Sequence, residues 1–81
     1  MSTHLDIERQ TQIRLLLSEY FSLDELNCLV FDLGVNIDAI AGESIDEKAL
    51  QVVRYCDRRG LLDTLVNLCQ AQRPHAPWPV L

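Results

Sequence analysis

Between Glu19 and Glu47 the chain has no lysine and no arginine, although Glu19, Asp24, Glu25, Asp32, Asp38, Glu43, Asp46 and Glu47 all fall there. From Lys48 to Arg73 the sign reverses, with Lys48, Arg54, Arg58, Arg59 and Arg73 against only Asp57 and Asp63. The formal net charge is −5. That excess excludes a dominant phosphate-binding surface, so nucleic acid is not an expected partner. Cysteine is scarce and unpatterned. Cys28, Cys56 and Cys69 form no C-x-x-C pair and no Cys-His cluster of zinc spacing, which argues against a disulfide framework or a zinc site. All three are expected to be small buried hydrophobes. Apolar runs are too short to cross a bilayer, and the polar stretch through Arg14 has no signal-peptide core. A cytoplasmic protein without a membrane partner is expected.

Catalytic patterns are missing as well. The two histidines, His4 and His75, lie near the chain ends, with no neighbour to orient them. The chain has no nucleophile elbow, metal-binding His pair, P-loop or dinucleotide fingerprint. Asp32-x-x-x-Asn36-x-Asp38 lacks the spacing of a calcium loop. Many acids sit at helix starts, where they serve caps and dipoles. No enzymatic role, cofactor or metal is expected.

What the sequence does contain is helical periodicity. Eighty-one residues allow one domain with one modest core. Ile13, Leu16, Leu17 and Tyr20 share a face of a first helix from about Asp6 to Tyr20. Leu5 and Ile7 fit that stripe poorly, and a bend near Thr11 is open. Ser22-Leu23-Asp24-Glu25 is a capping box, with Phe21 and Leu26 placed for a hydrophobic staple. The next helix runs to about Leu33, turning Leu26, Leu29, Val30 and Leu33 inward. Leu23, Cys28 and Phe31 widen its apolar surface, so it is expected to be the most buried. Gly34 stops it. One short turn follows, capped by Asn36 and ended by Gly42.

Ser44-Ile45-Asp46-Glu47 is a second capping box. It opens a helix from Ile45 to Arg59 with Ile45, Ala49, Val52, Val53 and Cys56 on one face and Gly60 at its end. A fifth helix takes Leu62, Leu65, Val66 and Cys69 inward and stops before Arg73-Pro74. Residues 74–81 hold all three prolines and read as an extended tail or the start of a linker. Two placements of Trp78 are open, packed back or exposed. No segment alternates with period two, so no sheet is expected. The expected domain spans 1–73.

The charge split has two readings, a solvated surface whose charges segregate and a pair of opposed patches that steer association. Arg54 and Arg58, four apart, share a helix face, and arginine forks suit a partner's carboxylates. The cluster is equally well read as a solvated helix end with Asp57 shielding one arginine.

The run from Phe21 to Asn36, FSLDELNCLVFDLGVN, resembles the FS-x-x-EL-x-x-L-C-FDLGVD stretch of bacterial effector-associated, death-like domains. The run from Ala49 to Leu65, with Val53, Tyr55, Arg58-Arg59-Gly60, Leu62 and Leu65, resembles their LV-x-Y-x-ERRGRL-x-EL stretch. Arg73-Pro74 matches a common ending. Asn27, Cys28 and Val30 depart from the pattern, and Ala41-Gly42-Glu43-Ser44 replaces a Pro-Gly followed by lysines. The resemblance implies an all-α, death-fold-like antiparallel bundle of five to six short helices. It further implies a non-catalytic adaptor that associates with like domains, next to fused peptidase, TIR or NTPase modules of bacterial defence. On that reading Asp24, Glu25, Asp32, Asp38 and Asp46 of one copy would meet Arg54, Arg58 and Arg59 of another. The rivals are a DNA-binding regulator and a passive apolar dimerisation domain.

Overall fold

Apolar residues three and four apart set four α-helices. The computed structural model describes the backbone of residues 4–80 and the side chains of residues 7–80. Its helices are α1 (His4–Tyr20), α2 (Leu23–Asp32), α3 (Ile45–Arg59) and α4 (Leu62–Gln72), with a 3-10 turn at Ile37–Ala39. No strand occurs among the described residues. Four α-helices are fewer than the five to six expected. The stretch after Asn36 closes only three residues of 3-10 helix, and α1 runs unbroken through Thr11. The side chains of His4, Leu5 and Asp6 lie outside the described residues.

Helix ends follow local chemistry. Ser22 Oγ accepts from the Glu25 amide at 3.2 Å, and Glu25 Oε1 accepts from the Ser22 amide at 2.9 Å, completing the first capping box. The second box is only half made. Ser44 Oγ accepts from the Glu47 amide, but the Glu47 carboxylate takes the amide of Glu43, at 3.2 Å, instead of that of Ser44. Gly34 and Gly60 close α2 and α3 alike, at φ of 77° and 68°. After each helix the glycine amide bonds back three residues and the next amide bonds back five, as Val35 to Val30 and Leu61 to Cys56. This double closure needs a left-handed residue, which glycine adopts without steric cost.

The core lies around α3, which packs against α1, α2 and α4, most extensively against α1. Ala49, Val52, Val53 and Cys56 of α3 meet Ile13, Leu16 and Leu17 of α1, Leu26, Leu29 and Val30 of α2, and Leu65, Val66 and Cys69 of α4 in one buried cluster. The radius of gyration is 11.4 Å, against about 12 Å expected for a folded chain of this length. The expectation that the second helix is the most buried is not met. On a ten-residue helix, Leu26, Leu29 and Val30 fill the inward stripe, while Phe31 and Cys28 fall on the outer face and are exposed.

Two cations fasten the connections. Lys48, the chain's single lysine, is 6% exposed and donates from Nζ to the Ile40 carbonyl at 2.7 Å. It ties the loop between α2 and α3 to the side of α3. Arg73 caps α4 and reaches across the fold. Its Nε donates to the Tyr20 carbonyl at 3.1 Å, its Nη2 to Glu25 Oε2 at 2.6 Å, and its guanidinium lies 4.6 Å over the Phe21 ring.

Of the two placements open for Trp78, the structure has it packed back. The indole is 7% exposed and sits 6.2 Å from the Phe21 ring and 6.4 Å from the Tyr20 ring. Its Nε1 donates to the Arg73 carbonyl at 2.9 Å, and Gln12 Nε2 donates to the Pro77 carbonyl. We predict that Trp78→Ala lowers unfolding free energy by about 3 kcal/mol, because an aromatic core residue is replaced by a cavity. For a domain of this size that is a Tm fall of more than about 10 °C. Thermal denaturation followed by circular dichroism would read it; an unchanged midpoint would mean the segment after Arg73 adds nothing to the fold.

Candidate protein-interaction surface

Arg54, Arg58 and Arg59 all lie exposed on the second half of α3. Arg59 stacks its guanidinium 5.0 Å from the ring centre of Tyr55, a cation–π contact that fixes its direction. Arg54 and Arg58 are one helical turn apart on a shared face. Neither is held in an ion pair with another described residue. At the last turn of α3, Arg58 and Arg59 also suit the helix dipole.

The acids divide by what the fold already asks of them. Glu25 has both oxygens engaged, one by the Ser22 amide and one by Arg73. Those two hydrogen bonds, the amide first, hold its carboxyl below the usual value of 4.5. Asp24 and Asp46 sit in the first turns of α2 and α3, where negative charge complements the dipole. Asp38 lies in the 3-10 turn, its amide bonded by Asn36 Oδ1 at 3.0 Å. Asp32 ends α2, where the dipole disfavours a carboxylate, and no cap or ion pair with a described residue occupies it. Asp24, Asp32 and Asp38 belong to the α2 side of the molecule. Asp46 stands about 18 Å along α3 from Arg58 by helical rise.

Sequence reasoning missed the apolar part of that side. Phe31 is 78% exposed. With Cys28, Gly34, Val35 and Ile37 it lines an open groove of about 720 Å³. An exposed phenylalanine forgoes about 2 kcal/mol of burial, so its neighbours matter. Asp24, Cys28 and Phe31 recur at i, i+4 and i+7 and share the outer face of α2. Asn27 and Asn36 complete the groove's lining, and exposed Asp32 and Asp38 are chain neighbours of its Phe31 and Ile37. The signal was present in the helical angle, since five positions separate Phe31 from Leu26 and carry it off the inward stripe.

A second exposed apolar surface lies between α1 and α3. Ile7, Thr11, Leu50 and Val53 line a groove of about 100 Å³ together with Arg14 and Arg54. Its rim is basic. The two grooves share no residue.

His75 stacks edge-on against Tyr20 at 5.9 Å. No group of three His, Cys, Asp or Glu side chains among the described residues is disposed to hold a metal ion. No described helix is long and apolar enough to cross a membrane. The cysteines depart from expectation at one position. Cys56 and Cys69 are buried, but Cys28 is exposed on the outer face of α2.

The family model of effector-associated domain 7 matches residues 9–74. This chain belongs to that family. No curated protein and no solved structure matches it. Effector-associated domains are accessory parts of effectors, regulatory and not catalytic. The matched span of this effector-associated domain takes in both grooves except for Ile7, and it ends at Pro74, before the buried Trp78.

Two measurements follow from these groups. Burial pushes the Cys56 thiol up to about 11, and burial with the neighbouring Cys56 pushes Cys69 up to about 12. Thiolate is the reactive form, so Ellman's reagent should titrate a single thiol, Cys28, in the folded domain and all three in denaturant. Three fast thiols in the native state would contradict the buried placement. For Glu25 the folded value is depressed. Its contribution to stability is therefore present above the unfolded value near 4.5 and is lost as pH falls through the lower folded value. Urea midpoints should drop over that acid range, and Glu25→Gln should flatten that part of the drop.

Proposed function

We propose that this domain is a non-catalytic adaptor that recruits its effector by reversible association with like domains. Membership of an effector-associated family supports an accessory role. The association step rests on one observation, the unpaired Arg54 and Arg58 on one face of α3 while Asp24, Asp32 and Asp38 stand exposed on the α2 side. Opposed patches of this kind orient an encounter and accelerate it. Recruitment by proximity then needs no chemistry from the domain itself. A death-fold-like arrangement, a cytoplasmic setting, and a fused peptidase, TIR or NTPase module of bacterial defence complete the reading. A passive apolar dimer is the second reading, favoured by the exposure of Phe31.

Sedimentation velocity across protein concentration separates the two. On the charge-driven reading, species larger than the monomer form at about 0.05 M salt and dissociate at about 0.5 M as screening shortens. Arg54→Glu with Arg58→Glu should weaken association at least about tenfold, or about 1.4 kcal/mol. A dimer indifferent to both salt and these substitutions would favour the apolar reading and sink the charge-driven one.

A further inference from the structure

Resting on the reading that like domains associate, we propose that Phe31 is the apolar anchor of the contact and that it docks into the α1–α3 groove of a second copy. Phe31 is the most exposed aromatic side chain described, and it lines an open groove on the side of the molecule where Asp24 shares its helix face and exposed Asp32 and Asp38 adjoin the lining residues Phe31 and Ile37 in the chain. Self-pairing of that surface would gather the carboxylates of both copies on one interface, which disfavours it against a basic partner surface. Like charges brought together this way select against that pairing.

The partner surface must therefore be apolar and basic. The exposed apolar side chains other than Phe31 are Ile7, Leu15, Leu50 and Val80. Val80 lines a surface with Asp63 and carries no cation. Ile7 and Leu50 lie together in the α1–α3 groove, and Arg14 and Arg54 flank them. Leu15 lines neither this groove nor those of Phe31 and Val80, so of these surfaces the α1–α3 groove is the one lined by cations. A ring inserted between Ile7 and Leu50 would be ringed by Asp–Arg pairs, an aromatic anchor inside a polar rim. Arg54, drawn into the association by its charge, would thereby also border the pocket that receives the anchor.

The two surfaces share no residue, so a single knob–groove contact between two copies is heterologous and leaves one knob and one groove free. Assembly through such contacts runs head to tail into rings or open chains. This yields a test that self-pairing of the Phe31 surface cannot pass, and growth of the unaltered domain beyond a dimer excludes a reciprocal two-fold pair. Phe31→Ala removes the knob and keeps the groove, and Leu50→Asp spoils the groove and keeps the knob. Both positions are exposed, and circular dichroism with Tm confirms folding; Thr11→Glu, on the exposed rim of the same groove, serves if Leu50→Asp is unfolded.

By sedimentation velocity at about 0.05 M salt, each variant alone should remain monomeric. Mixed in equal amounts, they should form a one-to-one dimer that grows no further, through the single intact pair of surfaces. Cys28 lies beside Phe31, so its alkylation by iodoacetamide should slow at least about tenfold in the dimer of the mixture. Should Phe31→Ala assemble as the unaltered domain does while the Arg54→Glu, Arg58→Glu variant does not, the anchor is overturned and charge-driven association stands. A mixture that stays monomeric also overturns the anchor. A monomer for the unaltered chain under every condition overturns both.

Discussion

A core built around one central helix can bury a single stripe from each of its neighbours, and the rest of this structure follows from that limit. Helix α3 is in contact with α1, α2 and α4. It turns Ala49, Val52, Val53 and Cys56 to them and has no second apolar face to offer. At 81 residues the chain cannot add a further layer that would cover the outer sides. Apolar residues beyond one stripe per helix must then stand at the surface. Phe31 and Cys28 on α2, Ile7 and Leu15 on α1, and Leu50 on α3 are those residues. Single exposed side chains of this kind are ordinary. What is uncommon is that all of them but Leu15 gather into two grooves, one of which Arg14 and Arg54 help to line.

The same limit explains how cations are used. A small core leaves its loops weakly held, and two of the seven basic residues are withdrawn from the surface to hold them. Lys48 has its ammonium on the Ile40 carbonyl, which brings buried Ile40 against the core. A buried ammonium without an acceptor would be costly, so this bond fixes where the loop runs. Arg73 joins the end of α4 to the α1–α2 corner through Tyr20, Glu25 and Phe21 at once. That corner is also where Trp78 lands. Glu25 is thereby part of the frame, since a partner's arginine would have to displace Arg73 to reach it. On the proposed association, the acids free to meet a partner are those without such work, foremost Asp32.

Features decided within five residues were legible in the sequence. The Ser22–Glu25 box, the stops at Gly34 and Gly60, and the bounds of α3 all depend on neighbours along the chain. The Arg54–Arg58 face was legible for the same reason. What was missed depends on which side of an element the core occupies. Counting Phe31 and Cys28 as apolar made α2 look the most buried, whereas their helical angle places them outside. The seat of Trp78 rests on Tyr20, Phe21 and on Gln12, which bonds a carbonyl 65 positions away, and no local pattern encodes it. Glu47 shows the limit at short range. Its capping box was half right because the amide of Glu43 competed for the carboxylate.

The charge pattern also sets the conditions under which copies can meet. Each carries −5 overall, so at long range they repel. The screening length is about 30 Å at 0.01 M salt and about 8 Å at 0.15 M. The longest dimension of the domain is 29 Å. In very dilute salt one copy therefore feels the whole charge of another, and repulsion opposes the approach of any patch. At moderate ionic strength only the facing surfaces count, and the acidic α2 side would then meet the basic α1–α3 side of a second copy, as proposed, with its attraction largely intact. In concentrated salt that attraction fades too, leaving the apolar contact alone. Association driven by opposed patches on a net-negative domain should thus be strongest at moderate salt, not at the lowest. A purely apolar dimer has no reason to weaken at the concentrated end, where screening also removes the repulsion between copies.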